Sequence, residues 1–166
     1  MDPKSLITSK IVDYCRPLTL IFVIGATKSG KVTIAKELSK QLDDRTLFIS
    51  DDYIRMYDQD EALNILERDV NEYYYSGYHI IVEGILGFRL LRRMAKNGYH
   101  LPDMVIKTEC SKETISFFYE KEEPGKNLNS VMGFNQGLEK IFQESVYLLE
   151  SRGKKLPILT LNTSIF

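Results

Sequence analysis

Residues 17–42 read PLTLIFVIGATKSGKVTIAKELSKQL, and the rest of the chain is organised around them. Leu18 to Ile24 is an apolar run rich in β-branched and aromatic side chains, short enough for one buried strand. It stops at Gly25. Gly30-Lys31 follows five residues later, and Val32 to Leu38 then places apolar residues at helical spacing. Strand, glycine loop with lysine, helix: this context makes G-x-x-x-x-G-K a phosphate site. Gly25 and Gly30 permit conformations and close approaches that a Cβ would block. The loop can then point several N–H groups at one anion. The helix adds unpaired N–H groups and its positive dipole end, and Lys31 adds a full charge for the β- and γ-phosphates.

This reading assigns Gly25, Ala26, Thr27, Lys28, Ser29, Gly30, Lys31, Val32 and Thr33 to the phosphates of a bound nucleotide, with Lys31 also catalytic. The residue after Lys31 is Val32, where a Ser or Thr hydroxyl usually reaches Mg²⁺. Thr33 comes next. The spelling Gly-Lys-x-Thr resembles that of adenylate-kinase-type enzymes, and that likeness implies Thr33 as a phosphate contact. The metal would then depend more on water and on acidic residues elsewhere. An ordinary glycine turn between strand and helix is the alternative.

A length of 166 residues suggests one domain, 1–166, large enough for a proper core. The formal net charge of −1 gives no bulk attraction to nucleic acid or anionic membrane, so any nucleic-acid contact must come from a local patch. Cys15 and Cys110 are isolated and fit buried thiols in a reducing compartment better than a disulfide or metal site. His79 and His100 are scattered and read as structural. No stretch is long and apolar enough to span a bilayer, and the N-terminus lacks a signal-peptide pattern. A cytoplasmic protein with no membrane partner is expected.

Along the chain, residues 1–16 have the spacing of a short amphipathic helix, and Pro17 separates it from the first strand. Asp43-Asp44 mark a turn. Thr46 to Ile49 reads as a second strand, with Ser50-Asp51-Asp52-Tyr53 at its carboxyl end. Ala62 to Tyr75 reads as a helix stopped by Gly77, and His79 to Glu83 as a third strand. Phe88 to Lys96 is a helix, Asp103 to Thr108 a fourth strand, and Ser111 the N-cap of a helix running to about Glu122. Glu123 to Asn127 is the clearest break. A last helix over Asn135 to Ser151 and a strand over Pro157 to Asn162 complete the chain. Strands alternating with helices predict an α/β fold, a parallel sheet with helices on both faces.

Ligands of open parallel sheets bind beyond the carboxyl ends of the strands. The glycine loop, Ser50-Asp51-Asp52, Glu83 and Glu109 fall there. Phosphoryl transfer needs a cradle, a metal, a group that orients or deprotonates the acceptor, and cations for the migrating charge. Asp51 can take a proton from an acceptor hydroxyl. Thr33, Asp51 and Glu83 are the candidates for the metal and its water. A helix N-cap plus a turn is the alternative for Asp51-Asp52, and a solvated strand end the alternative for Glu83.

The loop followed by Ile-Ser-Asp-Asp-Tyr-Ile-Arg at residues 49–55 resembles the P-loop kinases of the polynucleotide kinase type, and Val82-Glu83-Gly84 resembles the third-strand ending of small P-loop kinases. The likeness covers roughly residues 18–166 in order of elements. It implies a P-loop NTPase-like three-layer sandwich with strand order 2-3-1-4-5, ATP and Mg²⁺ as cofactors, and Asp51 as general base. The implied acceptor is a hydroxyl on a nucleotide, nucleic-acid end, modified base or other small molecule. Asp52, Arg55, Arg89, Arg92 and Arg93 are the substrate candidates. The three last share a helix side at i, i+3 and i+4, and with Lys96 they form the one concentrated basic patch, which also fits a solubilising surface. Such kinases close an arginine-bearing lid over the phosphates. Here residues 111–140 contain no arginine, so Lys121 or Lys126 is expected to close over the γ-phosphate, or else these lysines form a solvated face. Tyr73, Tyr74, Tyr75 and Tyr78 fit packing at a helix end better than base stacking. Two other readings stand beside the hydroxyl kinase: a nucleoside monophosphate kinase, and a nucleotide-binding module without transfer chemistry.

Overall fold

A strand with almost no polar interruption needs cover on both faces. In the computed structural model, which describes residues 9–10, 20–42, 46–50, 58–97 and 101–163, β1 (Leu20–Gly25) has that cover, and all six of its residues are buried. The other strands are β2 (Thr46–Ser50), β3 (His79–Glu83), β4 (Met104–Glu109) and β5 (Ile158–Asn162). All pair in parallel, in the order β2-β3-β1-β4-β5. The helices are α1 (Lys31–Gln41), α2 (Gln59–Tyr75), α3 (Leu86–Asn97), α4 (Lys112–Glu122) and α5 (Leu128–Ser151). This is the expected α/β sandwich.

Period-two alternation sorts the sheet into two cores. Leu20, Phe22 and Ile24 face one layer, with Leu66 and Val70 of α2, Phe88 and Leu91 of α3, and Leu138 and Phe142 of α5. Ile21 and Val23 face the other, with Ile34, Ala35 and Leu38 of α1. Five wholly buried β1 side chains, at about 1.5–3 kcal/mol each, fix this strand more firmly than any loop contact could. A satellite core of Ile115, Tyr119 and Val131 reaches Ala26 and sets α4 and the start of α5 beside the loop that follows β1.

The element boundaries differ from the sequence expectation where capping decides. α2 starts at Gln59, not Ala62, because the Asp58 side chain accepts from Glu61 N at 3.0 Å. α5 starts at Leu128, seven residues before Asn135, because Asn127 caps it through Ser130 N at 3.2 Å. α3 is also longer at both ends than Phe88 to Lys96. Asp103 precedes β4 rather than belonging to it: its carboxylate accepts from Leu20 N and its own N–H donates to Leu20 O. Ser111 caps α4 as expected, accepting from Thr114 N at 3.1 Å. His79 is buried at the start of β3, and Cys110 is half-buried rather than buried. The rest of the expected N-terminal helix, Cys15, the expected turn at Asp43-Asp44 and His100 lie outside the described residues. Among the described residues no helix is long and apolar enough to cross a membrane.

Candidate phosphate-binding site

The loop is built from the sheet outward. Gly25 sits opposite Thr108 of β4, and a Cβ on Gly25 would lie 2.1 Å from Thr108 Oγ1 and 2.6 Å from its carbonyl oxygen. Close approach therefore demands glycine here. Past it the chain turns: Ser29 N–H donates to Ala26 O at 3.2 Å, Ser29 Oγ donates to it at 2.6 Å, and Lys31 Nζ donates to it at 2.7 Å. The Lys31 ammonium is thus folded onto the loop and almost fully buried. Gly30, at φ 84°, begins α1 without a capping side chain, and no acidic residue stands in the first turn. The positive end of α1 consequently faces the loop without a protein counter-charge in that turn.

Buried hydroxyls pin the loop from beneath. Ser29 Oγ and Thr108 Oγ1 are 2.6 Å apart, and Thr108 Oγ1 also reaches Ile24 O at 3.3 Å. Thr163, just past β5, shares its hydroxyl proton between Ser29 O at 2.6 Å and Glu109 O at 3.1 Å. On the α5 side Asn135 Oδ1 accepts from Thr27 N at 3.1 Å and lies 3.3 Å from Thr27 Oγ1. The Thr27 N–H sets the amide orientation, so Asn135 Nδ2 is the buried side-chain atom without a partner among the described residues.

Two cavities flank the loop. One, of about 450 Å³, is lined by the backbone and side chains of residues 28–33 and by Cys110, Phe118, Glu122 and Thr163. Val32 and Thr33 are exposed in the first turn of α1 and border it. The other, of about 280 Å³, lies over Gly25 and Ala26 between the end of β4 and α5. Its wall carries Lys107, a buried lysine whose Nζ is 2.8 Å from Glu139, 3.4 Å from Glu109 and 4.8 Å from the centre of the Phe142 ring. Burial works against the Glu139 charge, but hydrogen bonds from Lys107 and Gln143 together with the Lys107 charge hold its carboxyl below the ordinary glutamate range.

Glu83 ends β3 almost fully buried, opposite Val23 of β1 and Ser50 of β2, and accepts from Ser50 Oγ at 3.0 Å. Among the described residues no group of three or more His, Cys, Asp or Glu is placed to hold a metal. The Glu83 carboxylate and Thr33 hydroxyl are oxygen donors of the kind Mg²⁺ takes.

Asp51, Asp52 and Arg55 lie outside the described residues. The basic patch of α3 is tied into the fold. Arg92 bridges to Glu144 of α5 at 3.3 Å, and Arg93 donates to Asn64 of α2 at 2.7 Å and stands 3.8 Å from Glu67. Arg89 is half-buried in the first turn of α3. Lys121 and Lys126 are exposed and line neither cavity. The α4 end instead brings Glu122 and Glu123 to Lys28. Tyr73 and Tyr78 make an edge-to-face pair, and Tyr74 and Tyr78 pack on the core. Thr108, Thr163, Asn135, Lys107 and the glutamate pair are site residues the sequence did not single out. Lys107 alone left a local signal, a charge inside an apolar strand.

The loop and the strand order together define the P-loop kinase-like α/β fold. No family model matches the chain, and no curated protein matches it. Solved structures do share the fold. A chain of the Pnkp1/Rnl/Hen1 RNA repair complex superposes with TM-score 0.55 at 18% identity, covering 81% of this chain and 46% of that one, so this chain spans under half of its length. The PezAT chromosomal toxin-antitoxin system of Streptococcus pneumoniae gives 0.56 at 14%, covering 98% and 78%. Deoxyadenosine kinase from M. mycoides gives 0.50 at 16%, covering 87% and 90%.

Proposed function

We propose that the chain is an ATP- and Mg²⁺-dependent phosphotransferase that moves the γ-phosphate to an acceptor hydroxyl, with Asp51 as general base. The acceptor class is a nucleotide, a nucleic-acid end or a related small molecule. The observation that carries the reading is the loop: glycines where close approach and a left-handed turn require them, an uncapped helix start, and the Lys31 ammonium folded onto the Ala26 carbonyl. Such a cradle suits an anion of the phosphate type. Lys31 then exchanges a carbonyl oxygen for phosphate oxygens. When bound, Mg²⁺ would neutralise phosphate charge, with Thr33 and Glu83 able to hold it or its water. Ser50, the last residue of β2, donates its hydroxyl to Glu83, so β2 ends beside the buried carboxylate. Among the fold neighbours, an RNA repair complex and a deoxyadenosine kinase support nucleic-acid ends and nucleosides as the first acceptors to try.

The test is acceptor-dependent ADP release with ATP affinity measured in parallel. Lys31→Ala is expected to weaken ATP binding roughly 10- to 100-fold, the worth of a charge-assisted hydrogen bond. Asp51→Asn is expected to leave ATP binding intact and to slow transfer about 10²- to 10⁴-fold. ATP binding without acceptor-dependent turnover, indifferent to Asp51→Asn, would make the chain a nucleotide-binding module instead.

A further inference from the structure

Glu122 places a carboxylate on the wall of the same cavity as Lys28, Ser29, Gly30 and Lys31. Its Oε2 accepts from Lys28 Nζ at 2.6 Å, Glu123 Oε2 stands 3.4 Å from that nitrogen, and the Tyr119 ring centre is 5.5 Å away. The hydrogen bond to Glu122 raises the Lys28 ammonium above the usual lysine range, so Lys28 keeps its charge at neutral pH. Lys28 also holds φ 60°, the one left-handed non-glycine among the described residues. Glycine would adopt that backbone without strain. A lysine there brings a charge at the crown of the loop that glycine could not.

We propose that Lys28 is a phosphate-binding cation that works by counterion exchange: the phosphates of a nucleotide take its ammonium from Glu122 and Glu123, and the exchange unlatches the α4–α5 turn from the loop. The proposal rests on the loop being a nucleotide phosphate site. Residues 111–140 carry no arginine, and beside the loop this segment presents carboxylates to the Lys28 ammonium. Exposure makes the exchange feasible. The side chains of Lys28, Glu122 and Glu123 are 30%, 50% and 47% exposed, so water stands ready to solvate the carboxylates as they leave. The Lys107 side chain, only 11% exposed, has no such freedom. The satellite core keeps α4 seated against Ala26, so the motion is confined to the exposed turn at Glu122–Asn127.

The chain has no tryptophan, so Phe117→Trp, at a position 59% exposed on α4, supplies a single tryptophan on the helix that ends at Glu122, excited selectively over the ten tyrosines. In that background Mg·ATP and inorganic tripolyphosphate are titrated separately. Glu122→Gln with Glu123→Gln should bind both probes about two- to fivefold tighter, the range set by exposed ion pairs. Lys28→Gln should weaken both probes, and in its presence the two glutamate substitutions should have no further effect. Unchanged or weaker binding by the double glutamine variant, with Lys31→Ala still weakening both probes, overturns the exchange alone. Indifference to Lys31→Ala overturns the phosphate site beneath it. Melting by circular dichroism checks folding, and if the double variant fails to fold, Glu122→Gln alone decides on the same terms.

Discussion

The underside of the loop that follows β1 and its rim are built from different chemistry. Beneath, Thr108, Ser29 and Thr163 exchange hydrogen bonds of 2.6 to 3.3 Å in the absence of bulk water, against a strand buried on every side. At the rim, Lys28 faces Glu122 and Glu123 with all three side chains a third to a half in solvent. Buried neutral hydrogen bonds are costly to break because their partners are left unsatisfied, whereas exposed ions simply hydrate. The difference separates two tasks: the underside fixes where amides point, and the rim can change partners without disturbing them.

The largest effect expected is from Gly25→Ala. The added Cβ meets the Thr108 carbonyl as well as its hydroxyl, and the backbone of a central strand cannot step aside. A loss of about 3 kcal/mol in urea unfolding is expected, at the upper end for overpacking. A loss under about 1 kcal/mol would mean the underside is as compliant as the rim. Thr108→Val comes next. It removes a hydroxyl shared with Ser29 Oγ and Ile24 O, and about 1–2 kcal/mol should go with it, read from the same unfolding curves.

Glu139→Gln tests the second cavity, where the comparison is mixed: a buried lysine with a half-exposed partner. The Glu139 carboxyl titrates below its ordinary value of 4.5 in the fold. A depressed carboxylate contributes stability above its unfolded value, and that contribution is lost as pH falls through the folded value. Wild type should therefore melt higher than Glu139→Gln at neutral pH, with the gap closing as pH drops below about 4.5. A gap constant with pH would deny the ionic origin. The smallest effect belongs to Arg92→Ala. Its exposed bridge to Glu144 should be worth no more than about 0.5 kcal/mol, and a larger loss would place the α3–α5 seam with the underside.

The underside was partly legible in the sequence, and the rim was not. β1, the loop and α1 announce themselves because their signals are local: an apolar run, two glycines at fixed spacing, a helical repeat. The strand order agrees with what the family likeness implied and could not have come from spacing. Lys28 meets Glu122 across 94 residues of chain, Thr27 meets Asn135 across 108, and Ser29 meets Thr163 across 134. No periodicity encodes such pairings. The start of α5 was missed for a local reason. Gly133 weakens helix propensity just ahead of Asn135, yet the Asn127 cap and the burial of Val131 carry the helix through it. Asp51, Asp52 and Arg55 were named from the motif and lie outside the described residues, so their roles rest on the proposed test.

The order β2-β3-β1-β4-β5 has a consequence for how the gene can drift. The loop hangs from the middle strand, hydrogen-bonded on both sides, while β2 and β5 are the margins of the sheet. In a library of single substitutions scored for nucleotide retention, permissiveness should widen outward from β1 in both directions. β5 carries exposed positions along most of its length and should accept the broadest range of side chains.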